Sequence, residues 1–129
     1  MPQLRAPTQC HFWKDDHPNP GRDDTEVVKS FEDDSHLVRA LLRCRDCGQL
    51  YFYEWYEEID WVNGNDPWYQ TWVPVDEQDL DDLLKTNIWT VHEYTPRIIN
   101  DWRLDGTGKN GWIRGEIEPA ERGSPDGAT

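Results

Sequence analysis

His36-Leu-Val-Arg-Ala-Leu-Leu-Arg43, then Cys44-Arg-Asp-Cys47-Gly48-Gln49, then Leu50-Tyr-Phe-Tyr-Glu-Trp-Tyr-Glu-Glu-Ile-Asp-Trp-Val62 is the stretch from which the fold is read. In the first segment Val38, Ala40 and Leu42 fall on one face if the chain is extended. The third is dense in aromatic and β-branched residues, which suit a pleated, half-buried surface. Its odd positions, Tyr51, Tyr53, Trp55, Ile59 and Trp61, make an aromatic face. Glu54, Glu58 and Asp60 fall on the other face with Leu50, Phe52 and Tyr56, and Glu57 breaks the alternation where a bulge is expected. Two strands joined through a short Cys-x-x-Cys-Gly link follow.

Working outward, Asn63-Gly-Asn-Asp-Pro67 is a turn by composition, so Trp68–Val75 returns as a third antiparallel strand with Pro74 at an edge or terminus. Asp76 reads as a helix N-cap, with Glu77 and Asp79 in the first turn. Leu80, Leu83 and Leu84 follow on one face, Lys85 sits in the last turn, and Asn87 lies just beyond it. Ile88–Tyr94 and Arg97–Leu104 are expected as strands, and Asp105–Gly111 as a hairpin loop into Trp112-Ile-Arg114. Residues 1–35, rich in Pro, Asp and Asn, read as an irregular arm, and residues 118–129 as a disordered tail. The expected fold is α+β: one domain over residues 1–117, with a small antiparallel sheet of four to six strands, one short helix, and a zinc knuckle between two strands. Trp55, Trp61, Trp68 and Trp72 supply its core.

A chain of 129 residues has room for one domain. Leu, Ile, Val and Phe make up only about a fifth of it and the formal net charge is −13, a combination near the threshold of disorder. Eight Trp and five Tyr, at roughly 150–250 Å² each, offset that deficit. An excess of 26 acids over 13 Lys and Arg argues against nucleic acid, whose affinity rests on neutralising phosphates, and against anionic membrane surfaces. A basic protein is the natural charged partner. No apolar run is long enough to span a bilayer, and the N-terminal residues lack the apolar stretch of a signal peptide. Three cysteines are too few for a disulfide scaffold, so a reducing cytoplasm is expected.

The chemistry concentrates at Cys44-Arg-Asp-Cys47-Gly48. Two residues between cysteines let both thiolates turn toward one ion at about 2.3 Å, and a following Gly permits the positive φ such a turn needs. The segment resembles half of a zinc-ribbon or rubredoxin-like site, a likeness confined to residues 44–48 and their flanking strands, and it implies structural zinc. No second Cys-x-x-Cys exists, so the count is completed by Cys10 and one histidine. His36 is excluded, because eight residues of strand put it roughly 26 Å away. His17, on a permissive loop, ranks first. His92 and then His11 follow, since adjacent Cys10 and His11 would bind one ion awkwardly. Two other readings stand beside metal: a redox pair, which favours a helix N-terminus in a βαβ setting, and small buried thiols.

Other signals carry less. Gly106-Thr-Gly-Lys-Asn-Gly111 matches a dinucleotide-loop pattern without the helix and distal acid it needs. Asp101-Trp-Arg-Leu-Asp-Gly106 begins like a calcium loop but has Arg103 at a ligand position. Carboxylates four apart on a strand, such as Glu54 and Glu58, stand about 13 Å apart, too far for glycosidic acid–base chemistry, so a solvated face opposite neighbouring arginines is expected. The leading functional expectation is a non-enzymatic, zinc-binding acidic interaction module, for instance an immunity or inhibitor protein for a basic partner. Behind it stand a carbohydrate or small-ligand binder using exposed Trp and Tyr, and a small metalloenzyme in which His11, His17 and Asp15 or Asp16 leave an open coordination position.

Overall fold

A computed structural model describes residues 3–115, the side chains of residues 88 and 89 excepted. The elements run as a 3₁₀ turn (His11–Lys14), β1 (Thr25–Asp33), β2 (Leu37–Cys44), β3 (Leu50–Glu57), β4 (Trp68–Val75), α1 (Glu77–Leu83), α2 (Ile88–Val91), β5 (Arg97–Trp102) and β6 (Gly108–Ile113). Each strand pairs antiparallel with the next, giving one open six-stranded sheet in sequence order. The α+β expectation is met at its upper strand count.

Strand alternation splits the apolar residues into two clusters on opposite faces. On one face Ala40, Leu42, Cys44, Tyr51, Trp72 and Ile98 pack under Cys10 and Phe12 of the N-terminal arm. On the other, Leu41, Phe52, Val73 and Val75 pack under Leu83 of α1 and Val91 of α2. The register Leu42↔Tyr51 and Ala40↔Tyr53, continued by Tyr53↔Trp72, carries the aromatic face across three strands. The molecule is therefore layered as arm, sheet and helices.

Helix α1 begins where its sequence says it should. Asp76 accepts from the Asp79 amide at 2.8 Å and the Asp79 carboxylate accepts from the Asp76 amide at 3.2 Å, a reciprocal cap. Pro74 sits in β4 beyond Trp72, the last residue paired with β5, so its missing N–H breaks no ladder.

Four expectations are corrected. Residues 1–35 are not all irregular, because Thr25–Asp33 forms edge strand β1. Its pairing with β2 is interrupted by register shifts, and Val27 and Val28 stay exposed, so no clean alternation marks it. Ile88–Val91 is a short helix rather than a strand, because Asn87 caps it by accepting from the Thr90 amide at 3.0 Å. The third segment ends at Glu57 instead of running to Val62. Asp60 there gathers the amides of Val62, Asn63 and Asn65 into a tight loop, which leaves Trp61 89% exposed rather than in the core. Glu54 is 1% exposed rather than solvated. The expected tail at residues 118–129 lies outside the described residues.

Candidate metal centre

The arm reaches the sheet through Cys10. Its backbone is extended (φ −88°, ψ 135°) and caps the 3₁₀ turn opened by His11. The direction change between the two residues lets adjacent side chains face one point, which a continuous strand would not. Cys44 closes β2 from the far side. Its amide donates to the Gln49 carbonyl and the Gly48 amide to the Cys44 carbonyl, both at 2.9 Å, while Gly48 takes φ 82°. That positive φ is the conformation a side chain resists.

The donor atoms of Cys10, His11 and Cys44 all lie within 4.8 Å of one another. Two ligands bonded at about 2.3 Å around a tetrahedral ion stand about 3.8 Å apart, so the set needs only a small contraction to close on one. His11 Nδ1 is 3.9 Å from Cys44 Sγ and 3.3 Å from Asp46 Oδ2. Cys47 is exposed, and its thiol acts on the Cys10 thiol closely enough to raise it. The arrangement of Cys10, His11 and Cys44, with Cys47 beside them, can hold a metal ion.

Cys10 and Cys44 are buried. Burial pushes the Cys10 thiol up to about 12, only partly countered by the hydrogen bond donated by Tyr51 Oη at 3.2 Å. Burial likewise raises Tyr51, with the Cys10 contact adding to it. A buried thiolate needs a cation to offset its desolvation, and a bound metal ion is such a cation. Tyr51 as donor to the Cys10 sulfur was not legible in the sequence; it follows from the register that sets Tyr51 beneath the arm.

The other candidate histidines are not brought to this point. His17 is exposed, its Nδ1 3.0 Å from the Asn110 carbonyl of β6 and its amide donating to Asp15 Oδ1. The arm follows β6 after the 3₁₀ turn and carries His17 away. His92 caps the end of α2, across the sheet from the cysteines, with Nε2 3.7 Å from Glu54 Oε1. His36 Nδ1 faces Glu57 at 3.3 Å. His17 and His92, expected ahead of His11, give way to it. Among the described residues no cluster of metal-ligating groups joins His11 and His17 to Asp15 or Asp16.

Burial also acts across the sheet. Glu54 meets Arg39 Nε at 2.9 Å, and Arg39 Nη1 donates to the Thr86 carbonyl. Desolvation raises Glu54 to about 7 against the pull of Arg39, and lowers His92 to about 4. Among the described residues no helix is long and apolar enough to cross a membrane. No protein-family model matches the chain, and no curated protein or solved structure is significantly similar to it.

Proposed function

We propose that the chain is a non-enzymatic interaction module in which structural zinc, held by Cys10, His11, Cys44 and Cys47, ties the arm to the sheet, and whose acidic surface docks a basic protein. Three thiolates and one imidazole complete a tetrahedral set with no position left for substrate, which favours a structural over a catalytic ion. The Cys44–Gly48 turn would then be one half of a zinc-ribbon-like site whose other half is the Cys10-His11 pair. An inhibitor or immunity protein is one instance of such a module, and a reducing cytoplasm suits its free thiols.

The observation that carries docking is the loop after β3. Trp61 and Val62 are 89% and 87% exposed, with Leu104 of the neighbouring hairpin 60% exposed. The loop that presents them is pre-ordered. Asp60 accepts three backbone N–H groups, and Asn65 bridges to the Leu104 carbonyl and to Trp102 Nε1 at 2.9 Å each. Hydrogen bonds from the Asn63 amide at Asp60, and from the Thr107 side chain at Asp105, keep both carboxyls below their ordinary range and so ionised. An exposed Trp on an ordered loop, next in sequence to the ionised Asp60, suits a binding hot spot for a cationic surface.

Elemental analysis should find one zinc per chain, lost in Cys44→Ser and in His11→Gln but kept in His17→Gln and His92→Gln. Affinity capture should recover a basic protein that, once purified, binds Trp61→Ser about tenfold more weakly and loses affinity with added salt. A metal-free native protein would overturn the zinc assignment. A partner that is acidic, or indifferent to both salt and Trp61→Ser, would overturn the docking assignment.

A further inference from the structure

A cleft of about 690 Å³ opens on the arm side of the sheet, away from the Trp61 loop. Its floor is Tyr53 and Trp72, whose rings sit 5.3 Å apart at 49°. Val38, Ala40 and Leu42 of β2, Val27 of β1 and Pro20 of the arm complete its apolar lining. The size falls in the range of small-molecule sites, which are mostly apolar with a few convergent polar groups.

The polar groups are almost all donors. Gln70 Nε2 donates to Tyr53 Oη at 2.7 Å, and Gln70 Oε1 accepts from Asn100 Nδ2 at 3.1 Å. The amide is thus oriented from both ends, and the Tyr53 hydroxyl, occupied as an acceptor, keeps its own proton to donate. Arg45 is anchored through Nε to the Thr25 carbonyl at 3.1 Å, which leaves its terminal nitrogens without an acceptor among the described residues. Arg22 also lines the cleft, and no carboxylate among the described residues pairs with its guanidinium. The one acid in the lining, Glu26, is engaged by Arg43 Nε at 3.0 Å. In a chain of net charge −13, two guanidiniums with no carboxylate partner among the described residues share the lining of this cleft with the Tyr53 hydroxyl and the aromatic floor.

We propose that this cleft binds a small planar aromatic carboxylate, its ring against Tyr53 and Trp72 and its carboxylate received by Arg22, Arg45 and the Tyr53 hydroxyl. Guanidinium groups suit a planar carboxylate through paired N–H donors, and the aromatic floor favours a flat ring over an aliphatic chain. The loop Cys44–Cys47 carries Arg45, so the turn that holds two of the cysteines also sets one wall of the cleft.

The probes are 2-naphthoate and its neutral isostere 2-naphthamide, titrated calorimetrically into the full chain as purified. Naphthoate should bind saturably at one site, with naphthamide about tenfold weaker, as expected when a charge-assisted hydrogen bond is lost. Arg22→Gln, at an exposed position, and Tyr53→Phe should each weaken naphthoate about tenfold while moving naphthamide less. Urea unfolding of both variants checks that they fold. Absence of saturable naphthoate binding at millimolar concentration overturns the proposal. So does equal affinity for acid and amide, or naphthoate affinity untouched by both substitutions in folded protein.

Discussion

Replacing Glu54 by Gln should leave the protein at least as stable above neutral pH and less favoured at acid pH. Glu54 is fully buried and meets one guanidinium nitrogen at 2.9 Å, while its Oε1 has no hydrogen-bond partner. Burial outweighs Arg39 and raises the carboxyl from an ordinary 4.5 to about 7. At about 1.4 kcal/mol per pH unit, ionising Glu54 inside the fold costs on the order of 3 kcal/mol relative to ionising it in the unfolded chain. Because the folded-state value is raised, the folded protein holds the extra proton between pH 4.5 and 7. Stability from this group is present below 4.5 and lost as pH rises through 7. His92 acts oppositely. Lowered by burial to about 4 from 6.5, it stays neutral in the fold while the unfolded chain takes up a proton, so it removes stability as pH falls across that window. Because His92 Nε2 lies 3.7 Å from Glu54 Oε1, parent and Glu54→Gln are both compared in a His92→Gln background, which removes the second titration. Urea unfolding of both proteins from pH 5 to pH 8 should show the parent's advantage over the variant falling by about 2–3 kcal/mol as pH rises. Arg39→Met, by contrast, removes the pairing and should cost about 3 kcal/mol at pH 8. A difference between parent and Glu54→Gln that stays flat with pH, or a Gln variant several kcal/mol less stable at pH 8, would refute the account of a carboxylate dominated by desolvation.

Two further predictions concern the metal centre and the arm. Gly48→Ala places a side chain at φ 82° and should cost about 1–2 kcal/mol in urea unfolding; zinc affinity measured against a competing chelator should fall with it, and an unchanged affinity would separate the turn from the site. The Trp112 indole donates to the Phe12 carbonyl at 2.7 Å, and Trp13 packs edge-on against Trp112 at 4.8 Å, so Trp112→Phe should cost about 1 kcal/mol or more and speed hydrogen exchange at residues 12–18. Exchange confined to other segments would show that the Trp112 contacts do not hold the arm.

The strands around the Cys44–Cys47 link were legible because both are short runs dense in apolar, aromatic and β-branched residues, and that density is a local property of the chain. The same holds for α1, whose cap, acids and leucine spacing lie within nine residues. Strand β1 was not legible. As an edge with interrupted register it buries little on either face, so its sequence carries no period. Ile88–Val91 misled for a related reason: a four-residue run of Ile, Trp, Thr and Val fits a strand as well as one turn of helix, and a side chain from Asn87 decides between them. The spacing of Cys44 and Cys47 alone made them candidate metal ligands, whereas the ranking of histidines rested on how far a loop can fold back. That ranking could not register that the arm runs along β6, or that the chain turns between Cys10 and His11.

By itself the sequence determined the antiparallel α+β class, the Cys-x-x-Cys-Gly turn and its glycine, the capped helix and the acidic surface, because each depends on contacts within a few residues or on composition. Tertiary structure decided which face of the sheet each element covers. It placed His11 beside Cys10 and Cys44, set Tyr51 under the thiols, sealed Glu54 beneath the helices, and left Trp61 outside. Those outcomes turn on which distant surfaces exclude water from which side chains, and burial of that kind has no local signature.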